Sequence, residues 1–206
     1  MGDIPDWPRH DQIVMIAQAR PDSSPESTFY RTYGDSLTHR DNPVISTGQI
    51  QSLTVPDGWV KRADGNLPAG AGLVEYHAPG HDDIRLNSFY RGHRVSVESA
   101  KAFQDCLAKS PHQLQSAELK ALDAVLGDKS YDFDIFFAKT ADLNGKRVLS
   151  VEGRYTDKEH TGSQTIYVDS DGTGSAVQEI SYSARGNDYA ANLTQAQKAF
   201  KSIVWK

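Results

Sequence analysis

The sequence predicts an α+β fold with an antiparallel sheet, and three observations carry that reading. Strand patterns come in runs, three before and four after two helical stretches, instead of alternating one by one with helices. Runs of that kind give hairpins and meanders with helices packed on the sheet face, not parallel crossovers. Two later connections are Asn144-Gly145 and Asp171-Gly172, dipeptides that accept the positive φ of tight hairpins. Leu193, Ala196, Phe200 and Ile203 then form one helical stripe, completing the order β-β-β-α-α-β-β-β-β-α.

Residues 1–47 are expected to be a proline-rich extension that docks on a single domain at 48–206. Pro5, Pro8, Pro21, Pro25 and Pro43 fall in this stretch, and Pro21-Asp22-Ser23-Ser24-Pro25-Glu26-Ser27 has the composition of a linker. Asp11 can cap a short helix before Ile13, while Val14 and Ile16 favour a strand, and periodicity leaves both open. Phe29-Tyr30 is the other apolar piece. The opening Met1-Gly2-Asp3-Ile4-Pro5-Asp6 lacks the basic and apolar regions of a signal peptide, and Asp6 stands where myristoylation wants Ser or Thr. The expectation adopted is an exported, periplasmic chain whose leader has been removed, with a cytoplasmic protein as the alternative.

Within the domain, residues 50–55 read as a strand stopped by the turn chemistry of Pro56-Asp57-Gly58. Gly70-Ala71-Gly72 opens a second strand at 73–77, ended by Pro79-Gly80. Ile84, Leu86, Ser88 and Tyr90 alternate with Arg85, Asn87, Phe89 and Arg91, which is the period of a third. Ser96 can cap a helix that carries Ala100, Phe103 and Leu107 on one stripe. A second helix follows Pro111, with Leu119, Leu122 and Leu126 in line and Gly127 as its stop. Strands follow at 133–137, 148–155, 165–169 and 176–183, with Phe133, Ile135 and Phe137 expected to turn to the core together.

Composition excludes several classes. Hydrophobic residues make up 38% of the 206, with 7 Phe, 9 Tyr and 3 Trp, enough for a core. The 22 basic against 27 acidic residues give a net charge of −5, which argues against a nucleic-acid partner. No run approaches the ~18 apolar residues of a membrane span; the run from Ile13 stops at Gln18. Cys106 is the single cysteine, so an internal disulfide framework or a multi-cysteine zinc site is ruled out.

The domain opens on Val55-Pro56-Asp57-Gly58-Trp59, a strand running into Pro-x-Gly-Trp, and closes on Phe200-Lys201-Ser202-Ile203-Val204-Trp205 after a four-strand meander. In these motifs and in element order the chain resembles the PsbP-like fold family, over about 48–206. That family includes the extrinsic protein of photosystem II, a Ran-binding import factor, bacterial lipoproteins and secretion adaptors. The resemblance implies an α+β fold and a mostly non-enzymatic binding role. It carries no shared active site, and so no named residues.

Candidate chemistry is sparse. Asp169-Ser170-Asp171-Gly172-Thr173-Gly174 copies the start of a calcium loop, with oxygen donors at positions 1, 3 and 5 and Gly at 6. Its twelfth position falls on Ile180, with Glu179 one residue early, so a polar hairpin tip is the competing reading. His77, His81, Asp82 and Asp83 offer zinc donors, although Pro79-Gly80 denies them a helical frame and favours a solvated loop. Asp132 and Asp134 share a strand face ~7 Å apart, a carboxylate-pair spacing that any water-facing strand also produces. Cys106 lies among apolar helix positions and reads as a buried hydrophobe, not a nucleophile. Gly172-Thr173-Gly174-Ser175-Ala176 is no nucleophile elbow, and Gly70-Ala71-Gly72 completes no dinucleotide fingerprint.

The expected function is therefore a non-enzymatic binding or accessory module (adaptor, immunity or accessory type) working through contact with a protein partner. Arg85, Phe89, Arg91 and Arg94 are its expected contact residues, a cationic and aromatic patch on an acidic chain. The alternatives are a metal- or small-ligand-binding module using the His77–Asp83 cluster or the Asp169 loop, and a hydrolase with paired carboxylates. No cofactor is expected unless calcium or zinc enters at those loops.

Overall fold

The computed structural model describes residues 43–62, 72–93, 95–126, 133–155 and 161–206. The chain divides into the units Met1–Asp41 and Asn42–Lys206. The first lies outside the described residues, and with it the pieces at 13–17 and 29–30. Gly70, Ala71, Arg94, Gly127 and Asp132 lie outside them too.

The second unit begins with β1 (Val44–Ile45), β2 (Ile50–Thr54), β3 (Val60–Lys61), β4 (Gly72–His77) and β5 (Arg85–His93). Helices α1 (Val97–Ala108), α2 (Ser116–Ala121) and α3 (Asp123–Leu126) follow. The meander β6 (Phe133–Leu143), β7 (Lys146–Tyr155), β8 (Thr161–Asp169) and β9 (Ala176–Arg185) leads to α4 (Gly186–Lys201) and β10 (Val204–Trp205). The α+β class and the run-wise order are as the pattern predicts; β1, β3, α3 and β10 are short additions to it. Sheet pairing starts at Val44, ahead of the expected domain start at 48.

Seven strands form one antiparallel sheet in the order β3-β4-β5-β9-β8-β7-β6. β9 sits in the middle, and its buried residues run on both faces, from Ala176 through Ile180 to Ala184. One face packs Leu86, Val148, Ile166 and Tyr182 against α4 and β2. The other packs Leu149, Val151, Tyr167 and Val177 against α1 to α3. A second, three-stranded sheet has the order β1-β2-β10. There the last strand pairs with β2, the Thr54 N–H donates to Ser202 Oγ at 2.9 Å, and the Lys206 N–H donates to the Gln49 carbonyl at 2.9 Å.

Local chemistry accounts for the element ends. Ser96 caps α1, its Oγ accepting the Ser99 N–H at 3.3 Å. Asn144 and Gly145 adopt φ of 50° and 82°, the double positive φ that closes the β6–β7 hairpin. Two expectations need correction. The single helix through Leu119, Leu122 and Leu126 is two short ones, broken at Leu122, so that Leu122 and Val125 are the buried residues. Phe137 also leaves the face of Phe133 and Ile135. The ladder pairs Ile135 with Gly153 and Phe137 with Glu152, so Phe136 is the extra residue of a bulge. The parity of the strand changes there, and Ala138 and Thr140 take over the inward positions.

Candidate functional site

β6 is an edge strand, and its two halves are treated differently. Its C-terminal half is covered by the linker after α1. The Leu114 N–H donates to the Ala138 carbonyl, the Thr140 N–H to the His112 carbonyl, both at 2.9 Å, and Gln113 bridges to Lys139. Upstream of Ala138, no described residue extends that cover along the outer edge. The bulge falls in this open half and turns Phe136 and Phe137 to the same side, each 37% exposed. Arg154 stands 5.4 Å from the Phe136 ring centroid and Lys139 5.2 Å from that of Phe137. Each cation lies over an aromatic face that it attracts electrostatically.

The opposite side of the same edge is concave. A hollow of about 380 Å³ is lined by Leu119, Leu126 and Ile135, with Ser116, Lys120 and Asp123 at its rim. An extended segment laid along the outer edge of β6 would alternate its side chains, one set over Phe136 and Phe137 and the other into this hollow. Unpaired strand edges are templates for such pairing.

The residues expected to contact a partner lie elsewhere and are partly occupied. Arg91 points into the chain, its side chain 13% exposed, donating to the Val125 carbonyl and lying 3.4 Å from the Glu179 carboxylate. Phe89 is half-buried and belongs to neither hydrophobic cluster. Arg85 donates to the Asp82 carbonyl at 2.7 Å, and Arg94 lies outside the described residues.

The expected metal donors do not converge as a group. His77 Nδ1 is 3.2 Å from Asp82, Asp83 is 3.7 Å from Arg185, and His81 is exposed. At the Asp169 loop the carboxylates serve the loop's own backbone: Asp169 accepts the Gly174 N–H at 2.9 Å and Asp171 the Thr173 N–H at 3.0 Å. Burial raises the Asp169 carboxyl above its ordinary range. Asp134, half-exposed, lies 3.6 Å from Arg154.

Among the described residues, the donors that do meet are Cys106, His112 and Glu118, whose ligating atoms all lie within 4.8 Å of one another. They come from α1, the following linker and the first turn of α2. Cys106 is buried, and burial pushes its thiol up, with the Glu118 charge adding to the effect. Lys109, the Gln115 N–H and His112 hold the Glu118 carboxyl down at about 2. A thiol kept protonated by burial is a poor nucleophile, and it becomes a metal ligand only by giving up its proton. Sequence reasoning singled out Cys106 alone of the three. The usable signal was Gln115-x-x-Glu118, a capping box, which marks a helix start and no chemistry.

No protein-family model and no curated protein matches the chain. Among solved structures, cyanobacterial PsbP (CyanoP) from Synechocystis sp. PCC 6803 is similar at 12% identity, over 79% of this chain and 95% of that one, with a TM-score of 0.44. A protein from Bacteroides thetaiotaomicron VPI-5482 is 14% identical over 81% of this chain, with a TM-score of 0.47. The chain spans about half the length of that protein, 49% of it. LpqN of Mycobacterium tuberculosis, involved in cell envelope biogenesis, is 17% identical over 72% of this chain and 78% of its own, with a TM-score of 0.37. The first of these bears the name of the fold family that the sequence motifs resemble. The α+β fold stands on the chain's own ladders and helices.

Proposed function

We propose that the chain is a binding module of adaptor or accessory kind that receives an extended apolar segment of a partner protein along the open half of β6. One observation supports this reading above the others: Phe136 and Phe137, side by side and exposed, stand on an edge whose other face is a hollow floored by Leu119, Leu126 and Ile135 among polar side chains. Exposed aromatics held by neighbouring cations are the groups that concentrate binding energy at interfaces. A catalytic reading has less behind it, since the Cys106 thiol is held protonated by burial and Asp134 is half-exposed beside Arg154. Export, expected from the sequence, stays part of the proposal and is tested by fractionating the native source.

The experiment is site-specific photocrosslinking. A benzophenone amino acid at position 137 should give one discrete adduct in extract of the native source, and Phe136→Ser should diminish it. The same label at Val97, which is 81% exposed and lies on α1, is the control and should give none. Equal adducts at the two positions would overturn the proposal.

A further inference from the structure

His112 is held in a way that leaves one of its nitrogens facing an acceptor. Its Nδ1 lies 2.8 Å from the Ser110 carbonyl, which can only accept, so Nδ1 carries a proton. Thr140 Oγ1 flanks the same nitrogen at 3.1 Å. In the neutral ring Nε2 is then the nitrogen with the lone pair, and it stands 3.1 Å from Glu118 Oε1. A lone pair set against a carboxylate oxygen calls for a cation between them, either a second proton on the ring or a metal ion.

The surroundings match a metal ion. Two donors on a tetrahedral zinc ion at ~2.0–2.1 Å each stand ~3.3 Å apart, close to the separation seen. The Cys106 sulfur completes a nitrogen, oxygen and sulfur set, all within 4.8 Å. The carbonyl on Nδ1 is the partner that metal-binding histidines commonly have on their other nitrogen. A cavity of about 250 Å³ between α1 and α2, lined by Cys106, Lys109 and Glu118, leaves room for a fourth ligand. Lys109 Nζ now sits 2.6 Å from the same Oε1, and Oε2 accepts the Gln115 N–H at 3.1 Å. The lysine therefore occupies the position that a metal would claim, while Oε2 need not move.

We propose that Cys106, His112 and Glu118 form a three-donor site for a divalent ion of the zinc type, open at its fourth position and contested by the Lys109 ammonium. Binding replaces the Cys106 S–H proton by a metal–sulfur bond, and that proton goes to the solvent. The site lies against the covered half of β6, where His112 pairs with Thr140, and does not depend on the binding role proposed for the open half.

The test uses the full chain at pH 8, titrated with Co(II) and then with Zn(II). One equivalent of Co(II) should develop a sulfur-to-cobalt charge-transfer band, which Zn(II) abolishes, with release of a proton seen by a pH indicator. Cys106→Ala removes the band. His112→Gln and Glu118→Gln should each weaken uptake by more than the ~10–100-fold that losing a ligand's own hydrogen-bond partner costs. Lys109→Met should tighten it, because the competing cation is gone. Circular dichroism of each variant controls for folding. The proposal is overturned if no band forms, if the band survives Cys106→Ala, or if uptake disappears only with His77→Gln and His81→Gln. Lys109→Met weakening uptake would also sink it.

Discussion

Arg91 Nε and Glu179 Oε2 lie 3.4 Å apart on the paired strands β5 and β9, with 13% and 25% of the two side chains exposed. The contact is ionic and not a well-aligned hydrogen bond, since Arg91 Nε has no hydrogen-bond partner among the described residues. The guanidinium also lies 5.6 Å from the Tyr167 ring centroid and donates to the Val125 carbonyl, tying α3 to the sheet.

That pair sets a pH dependence. Burial raises the Glu179 carboxyl above its ordinary value of 4.5, and Arg91 opposes the rise. A raised carboxyl holds its proton more tightly in the folded chain, so stability falls as pH climbs from 4.5 through the raised value. Glu179→Gln removes this slope, and in urea melts the variant should gain on the wild type between pH 4.5 and neutrality. A constant difference between the two proteins would refute the assignment. Arg91→Met should cost about 2–3 kcal/mol at neutral pH, below the ~3–5 of a fully buried pair that loses one partner.

Two glycines are places where backbones nearly touch. A Cβ on Gly174, whose φ is +74°, would stand 2.1 Å from the Ala100 carbonyl oxygen, and one on Gly153 would stand 2.4 Å from that of Asp134. Gly174→Ala combines left-handed strain with a clash against α1 and should cost more than ~3 kcal/mol. Gly153→Ala forces β6 away from β7 beside the bulge and should cost about 1–3 kcal/mol. Equilibrium denaturation measures both, and wild-type stability for either would contradict the packing described.

Asn144 does two jobs that substitution can separate. It takes the positive φ of the hairpin, and its Nδ2 donates to the carbonyls of Lys201 at 2.8 Å and Ile203 at 2.6 Å. Asn144→Gly keeps the turn and loses the tether, at about 1–2 kcal/mol. Asn144→Ala loses both and should cost a further ~1–2 kcal/mol. Equal losses in thermal or urea melts would show that only the tether matters.

The exposed phenylalanines should matter little to folding. Phe136→Ser with Phe137→Ser is expected to change stability by about 1 kcal/mol or less, as surface substitutions do. A loss above ~3 kcal/mol, the scale of a truncated core aromatic, would mean that the pair is structural and the β6 edge is no docking surface.

The fold was legible wherever local chemistry decides geometry. Asn144-Gly145 announced its hairpin, Ser96 its cap, and the stripe from Leu193 to Phe200 its helix. The bulge left no such mark, because one extra residue in β6 looks like any other until the register with Gly153 and Glu152 is known. Strict alternation therefore sent Phe137 to the wrong face. The site was hidden for a related reason. Cys106, His112 and Glu118 meet only because α1, its linker and α2 fold back on one another, a convergence that no spacing motif encodes. Arg91 shows the opposite case, an arginine that reads as surface charge and is drawn inside by a half-buried carboxylate on the neighbouring strand.

The pairing of β2 with β10 also constrains how the protein is made. A ribosome releases the chain from its N-terminal end, so residues 50–54 emerge long before their strand partner at 204–205. The clasp between Thr54 and Ser202 joins positions 148 residues apart, and closing a loop of that length costs ~4–5 kcal/mol of chain entropy. Ile50 and Leu53, fully buried in the folded chain, must wait uncovered on one side until residues 204–205 have emerged. The nascent chain therefore presents an apolar strand without its pairing partner throughout synthesis of the intervening residues, and any change that removes residues 204–205 leaves that edge of β2 open.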